Sequence, residues 1–289
     1  MVRAPRLYFD SVHIIESLRP DDHHTGRRLY EDLAPLADAS TPPVTVRFHA
    51  VQSRAAFLKV LRSIAEDARL HSHSPILHIE THGDFTGIQV TSGEYLPWRE
   101  FKNELIAINA MSRLNLLVML AACQGIYLSK IIQAGDRAPV RALIGPIRRV
   151  DADEIERACP AFYRTLFDTW NVEDACCAMN NAIAPVPLTF VGVAAERLFY
   201  LTMHGYFTTY CSEEALARRE NTRRALLERL GISEEQREHD RQWFHSHVRD
   251  HRRHFETFKN RFFFCDLYPE NAARFGATLE DCQRDPSAT

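Results

Sequence analysis

Short apolar segments alternate with longer amphipathic segments along the chain between residues 7 and 193. The apolar segments are rich in branched side chains and predict strands at residues 7–15, 44–51, 76–81, 114–121, 140–144 and 188–193. The amphipathic segments predict helices at residues 25–37, 53–70, 98–112, 153–169 and 172–182. This alternation predicts an α/β fold with a mainly parallel six-stranded sheet that is flanked by helices on both faces.

Two parts of the chain depart from this alternation. Residues 85–97 contain Gly87, Gly93 and alternating apolar positions, which predicts a small antiparallel hairpin after the third strand. Beyond residue 212, Arg, Glu and His dominate and the apolar residues fall at helical spacing. We therefore expect two domains, an α/β domain at 1–211 and a helical C-terminal extension at 212–289.

Composition excludes several classes of protein. The 289 residues carry a formal net charge of -3, which gives no sign of a nucleic-acid surface, so no direct nucleic-acid partner is expected. The sequence shows neither a signal-peptide pattern nor an apolar run of the ~18 to 20 residues that a membrane helix needs. Seven cysteines without paired spacing fit a reducing compartment better than a disulfide framework. A cytoplasmic location without membrane association is expected.

Two chemically reactive side chains follow two of the predicted strands. His82 and Gly83 come directly after the third strand, and Cys123 comes directly after the fourth. The carboxyl ends of parallel strands meet at one edge of a sheet, where open α/β proteins bind ligands. We therefore expect His82 and Cys123 to meet across one cleft.

This pair suits peptide-bond cleavage by a thiol. Cys123 can supply a thiolate nucleophile and His82 a group that transfers protons. Attack on an amide places negative charge on the carbonyl oxygen, and the backbone NH groups of Gly83 and Cys123 are candidates for the oxyanion hole. Glycine at position 83 would allow that close approach, because it has no side chain.

The motifs around these residues resemble those of a known family. Thr81-His82-Gly83 and Ala122-Cys123-Gln124-Gly125, each after an apolar strand, look like the His-Gly and Ala-Cys-Gln-Gly motifs of caspase-like cysteine peptidases. The segments 143–146, 162–166 and 172–175 extend the resemblance. This succession of motifs is similar to that of the bacterial CHAT branch, and the resemblance covers residues 70–195.

The resemblance implies a caspase-like fold and a cysteine endopeptidase with a His82-Cys123 dyad. It also implies cleavage of a specific protein partner without a cofactor or metal, in bacterial antiviral defence or programmed cell death. Only about 15 residues separate the Cys123 turn from the next strand, which leaves little room for a cleavable activation linker. Activation by another protein is therefore expected, with residues 212–259 as its docking surface.

Other side chains near the expected cleft allow more than one interpretation. His78 lies on the same strand face as His82 and is expected in the core, while Glu80 could orient His82 or act as a capping carboxylate. Arg148, Arg149 and Asp151 follow the fifth strand at the same sheet edge. These three could form a substrate pocket, or they could equally cap the next helix.

Two alternatives to the peptidase remain open. The first is a catalytically inactive caspase-like scaffold or binding module that presents the helical extension to another subunit. The second is metal chemistry at the C-terminal histidines. These are His239, His245, His247, His251 and His254. Interleaved Arg and Asp residues favour a solvated charged helix over a metal site there, so no metal is expected.

Overall fold

The computed structural model describes residues 8–185, 188–248 and 250–284. These residues form two compact units. The first contains the chain up to Ile131 and then Ala138–Ala195, and the second contains Ile132–Arg137 and the chain from Glu196 onward. Position 7, where the first predicted strand begins, lies outside the described residues. Within the described ranges, no helix is both long enough and apolar enough to cross a bilayer.

The first unit is built on a mixed sheet. Its strands are β1 (Ser11–Ser17), β2 (Thr45–Ala50), β3 (Pro75–Gly83), β4 (Gly87–Gln89), β5 (Tyr95–Pro97), β6 (Leu117–Ala121), β7 (Ala142–Pro146) and β8 (Phe190–Ala194). Six strands lie in the order β2-β1-β3-β6-β7-β8, and neighbours are parallel except that β8 runs antiparallel to β7. The predicted mainly parallel six-stranded sheet is confirmed. β4 and β5 form the expected hairpin, which pairs with the end of β3.

Helices cover both faces of this sheet. They are α1 (Thr25–Ala39), α2 (Arg54–His71), α3 (Trp98–Met111), α4 (Ala152–Thr169) and α5 (Val172–Asn181). α1 packs on α4 and α4 on α5, whereas α2 packs on α3. Crossover connections between parallel strands are right-handed. When the chain reverses its direction along the sheet, the helices of the two crossovers therefore lie on opposite faces. The core between α1, α4 and the sheet is apolar and fully buried.

Local chemistry decides where two of these elements begin. The sequence predicts the fourth long strand from residue 114, but β6 begins at Leu117. Arg113 and Leu114 adopt left-handed backbone angles, with φ of 53° and 62°. The side chain of Asn109 accepts a hydrogen bond from the Leu116 NH at 3.1 Å and donates one to the Ala138 carbonyl at 2.8 Å. These contacts hold the segment as a turn although its side chains are apolar.

The second unit is helical over its described residues. Its elements are the main part of α6 (Ala195–Gly205), a π-helical turn (Tyr206–Tyr210), α7 (Glu213–Arg229), α8 (Glu234–Val248), α9 (His251–Phe262), α10 (Asn271–Arg274) and α11 (Leu279–Gln283). Buried aromatic rings form its core, where Phe263 stacks on Phe275 with ring centroids 4.7 Å apart and Phe199 packs on Phe262 and Phe263. The helical character expected beyond residue 212 is confirmed.

Candidate active site

His82 and Cys123 lie at the carboxyl ends of neighbouring parallel strands: His82 is the penultimate residue of β3, and Cys123 lies two residues beyond the end of β6. The last paired residues of β3 and β6 are Glu80 and Ala121, and His82 and Cys123 each lie two residues beyond that pair. Parallel neighbours are about 4.8 Å apart, and residues in register point to the same side of the sheet. The topology therefore brings the two reactive side chains to one sheet edge.

A cleft of about 290 Å³ opens at this edge. Its lining comes from the loop after β1, the ends of β3 and β6, and the start of α4. The lining residues are Leu18, Asp21, Asp22, His23, Thr25, Glu80, Thr81, His82, Ala121, Cys123, Val150, Ala152 and Ile155. His82 and Cys123 thus share one cleft.

A carboxylate on the loop after β1 holds the ring of His82. Asp22 Oδ2 lies 2.8 Å from His82 Nε2, and about half of the His82 side chain remains exposed. Partial burial acts to raise the pKa of Asp22. Hydrogen bonds from the Arg19 backbone NH and from His82 outweigh this effect, so the pKa lies below its usual value. Asp22 is therefore an ionised partner that can orient the imidazole and stabilise its protonated form.

Sequence reasoning missed Asp22. The signal was the polar run from Asp21 to His24, which follows β1 and so emerges at the same edge as His82. That run contains two carboxylates and two imidazoles. Nothing in its spacing selects Asp22 among them.

The backbone turns sharply at Cys123. Gln124 has a left-handed φ of 60°, and the amides of Gly125 and Tyr127 donate to the carbonyls of Ala122 and Gln124. A 3₁₀ helix, Gly125–Ile131, begins directly afterwards. Left-handed angles at residues other than glycine store strain and often mark functional sites. This turn keeps the Cys123 side chain at the sheet edge, where it is partly exposed.

Gly83 makes a close contact with the Cys123 turn. A Cβ atom at position 83 would lie 2.8 Å from the Cys123 carbonyl oxygen, which is too close for any side chain. Because the obstructing atom belongs to the backbone, rotation of a side chain cannot relieve the overlap. Glycine is therefore required for the two loops to approach this closely.

Glu80 and His78 belong to a buried network instead of contacting His82. His78 is fully buried, as expected, and its Nε2 lies 2.9 Å from Glu80 Oε1 while its Nδ1 lies 3.2 Å from the Tyr163 hydroxyl. The Thr25 hydroxyl donates to the other oxygen of Glu80. Glu80 thus borders the floor of the cleft, and the carboxylate that orients His82 is Asp22.

The loop after β7 and the first residue of α4 contribute apolar side chains to the cleft. Val150 and Ala152 line it, whereas Arg148 forms an ion pair with Glu154 and also donates to the Thr189 hydroxyl. Asp151 is the N-cap of α4 and forms a capping box with Glu154. The capping interpretation of Asp151 is thereby confirmed. A substrate role for Arg148, Arg149 and Asp151 stays a prediction.

The C-terminal histidines have other contacts. His245 Nε2 lies 3.1 Å from Glu220 Oε2, His247 stacks on Trp243, and the His254 ring contacts the His247 carbonyl. Within the described ranges, three potential metal ligands come together at Asp67, His71 and His73, which belong to the first unit.

Comparison with known proteins does not show a family for this chain. No family model matches the chain, and no curated protein matches it in sequence. Among solved structures, the chain is similar to the Drosophila initiator caspase Dronc, at 12% sequence identity and a TM-score of 0.48. That match covers 66% of this chain and 81% of the Dronc chain.

Proposed function

We propose that this chain is a caspase-like cysteine endopeptidase in which Cys123 is the nucleophile and His82 transfers protons. The observation that carries the proposal is the shared cleft. His82 and Cys123 line it from matching positions on adjacent parallel strands, and an ionised carboxylate holds His82. The resemblance of the two motifs to caspase-like peptidases, and within them to the CHAT branch, points to the same chemistry.

In the proposed reaction, the Cys123 thiolate attacks the carbonyl carbon of the scissile peptide bond. Negative charge then develops on the carbonyl oxygen, where the backbone NH groups of Gly83 and Cys123 stabilise it. His82 donates a proton to the departing amine as the C–N bond breaks, which leaves a thioester on Cys123. Water attacks the thioester while His82 accepts its proton, and the new carboxylic acid leaves as the Cys123 sulfur is released.

The charge around the cleft bears on the choice of substrate. Asp21, Asp22 and Glu80 line it, and its lining among the described residues contains neither Lys nor Arg. An adjoining cavity of about 280 Å³ shares Thr25, Glu80 and Ile155 with the cleft and adds Glu31, Asp32 and Glu156. Its arginine, Arg28, pairs with Glu156 at 2.8 Å. We infer that the site prefers a basic side chain before the scissile bond.

Selective labelling of Cys123 tests the catalytic proposal. A thiol-reactive peptide probe should modify Cys123 ahead of the more exposed Cys177, because activation by His82 matters more than exposure. Cys123→Ala and His82→Ala should each lower peptide cleavage by about a thousandfold or more. Cys177→Ala is the matched control and should cleave normally.

The outcome separates the peptidase from the alternative. Indiscriminate labelling of the cysteines, together with undiminished cleavage by folded Cys123→Ala protein, would refute the dyad. Indiscriminate labelling together with an absence of cleavage by the parent protein would instead favour the inactive scaffold or binding module.

We further propose that another protein activates the peptidase by docking on residues 212–259, in bacterial immunity or programmed cell death. The support is a set of large apolar side chains in this segment, Leu226, Leu230 and Trp243, which are about half exposed or more. Leu226→Glu combined with Leu230→Glu should abolish activation by a candidate partner. Labelling of Cys123 in the purified variant should stay unchanged. Full activation of this variant would exclude the surface.

A further inference from the structure

A second cluster of reactive side chains lies where α2 meets β3. Asp67 and His71 are one helical turn apart on α2, and the helix ends at Ser72, whose left-handed φ of 58° turns the chain back. His73 follows that turn, and its ring centroid lies 5.5 Å from that of His71. One potential ligand atom from each of Asp67, His71 and His73 falls within 4.8 Å of the others.

Each of these three side chains is held by a polar contact. Arg47 Nη1 lies 3.1 Å from Asp67 Oδ2, while His71 Nδ1 lies 3.0 Å from the other oxygen, Oδ1. His73 Nδ1 lies 3.1 Å from Asp10 Oδ2, and Asp10 also accepts from the Ser74 backbone NH. A carboxylate bound to one ring nitrogen fixes the tautomer and orientation of the imidazole and raises the basicity of the other nitrogen.

We propose that Asp67, His71 and His73 form a binding site for Zn²⁺, with Asp10 as the carboxylate that orients His73. Two imidazoles and one carboxylate are ligands that Zn²⁺ accepts, and water would complete a tetrahedral shell. The Arg47 guanidinium beside Asp67 lowers the affinity by charge repulsion, because it adds a positive charge next to the ion. The cluster is therefore a site of moderate affinity that retains its shape without the ion.

The position of the cluster determines what the ion would do. His73 precedes β3, and His82 stands near the other end of the same strand, about 30 Å away at 3.3 Å per residue. An ion at this distance cannot contact the reacting atoms of the proposed peptidase. It would instead link the end of α2 to the start of β3 and stabilise the first unit by binding the folded state.

Zinc binding to the full-length chain tests the site. The experiment uses Cys123→Ala protein, because the His82-Cys123 pair could itself bind Zn²⁺. Calorimetric titration with Zn²⁺ should give one ion per chain. Thermal unfolding should show a higher Tm with Zn²⁺ than without it. His71→Ala combined with His73→Ala should abolish both, and Asp10→Asn should weaken binding by about tenfold. The matched control, His245→Ala combined with His247→Ala, should bind like the parent protein.

Three outcomes would overturn the proposal. The first is an absence of Zn²⁺ binding by the parent protein, and the second is unchanged binding by the folded His71 and His73 double variant. The third is loss of binding in the control variant only, which would assign the ion to the C-terminal histidines. If the double variant does not fold, Asp67→Asn supplies the same comparison with a side chain of equal size. Because the dyad is already removed, these results do not depend on the peptidase proposal.

Discussion

The contact between His82 and Asp22 is the residue-scale feature that most affects the proposed chemistry. An imidazole that is half exposed has freedom to rotate, and the Asp22 carboxylate restricts it through the 2.8 Å contact at Nε2. The charge on Asp22 also favours the imidazolium that must form before the amine departs. The dyad expected from the motifs therefore becomes, in our proposal, a set of three residues.

Asp22→Asn tests this role. An amide keeps the size of the carboxylate but loses its charge, so kcat should fall by about 10- to 100-fold. This loss is a part of the rate enhancement of ~10²- to 10⁴-fold that proton transfer by a side chain contributes. Asp21→Asn, an exposed neighbour in the same cleft, is the control and should retain most activity. Parental kcat in folded Asp22→Asn protein would show that the contact does not serve catalysis.

Gly83 supports a second prediction at this scale. Gly83→Ala would place a methyl group 2.8 Å from the Cys123 carbonyl oxygen, so one of the two loops must move. We expect a destabilisation of about 1–3 kcal/mol, measured by urea unfolding, and a larger fall in kcat than in substrate affinity. Gly205→Ala meets no atom within 4 Å and is the control. Wild-type kinetics in Gly83→Ala would mean that the close approach is unimportant.

At the scale of elements, β1 carries a buried imidazole that should make the first unit sensitive to acid. Burial, together with nearby His49 and Arg47, lowers the pKa of His13 to about 3. His13 Nδ1 lies 3.2 Å from His49 Nε2, and the His49 pKa is also lowered by burial. Both groups stand on the first two strands of the sheet, so protonation of either acts on the same strand pair.

The sign of the effect follows from proton binding. Between about pH 6.5 and pH 3, the unfolded chain binds a proton at His13 that the folded chain does not. The free energy of unfolding therefore falls as the pH falls through this window, by up to about 1.4 kcal/mol per pH unit from this group. In urea titrations at several pH values, His13→Gln should show a shallower slope. His23→Gln, at an exposed position, should show the parental slope, and an equally steep slope in both variants would exclude His13 as the cause.

Helix ends show which local features can be predicted from sequence. Asp151 followed by Glu154 indicated a helix start, and the two residues form the capping box of α4. By contrast, the apolar residues before β6 gave the appearance of a longer strand. The Asn109 side chain decides that boundary through contacts with residues 116 and 138, which no local pattern reveals.

For the whole molecule, charge near the cleft leads to a prediction about substrates. The net charge of -3 is small, but carboxylates outnumber cations around the cleft and the adjoining cavity. A peptide with Arg before the scissile bond should be cleaved with a kcat/KM about tenfold higher or more than the same peptide with Asp, a difference of about 1.4 kcal/mol. Raising the salt concentration should reduce this ratio, because screening weakens exposed charges. A preference for Asp would refute the inference.

The sequence by itself determined the alternation of strands and helices, the hairpin after β3, and the placement of His82 and Cys123 at the carboxyl ends of strands. These features depend on residues close together in the chain, whose hydrophobic period and branching report the local backbone. Tertiary structure alone decided that β3 and β6 are neighbours in matching register, and that Asp22, 60 residues before His82, is its partner. It also brought Asp10 to His73 across 63 positions of the sequence. Such contacts follow from the order of strands in the sheet and from loop conformations, which depend on packing between distant segments and leave no periodic signal in the chain.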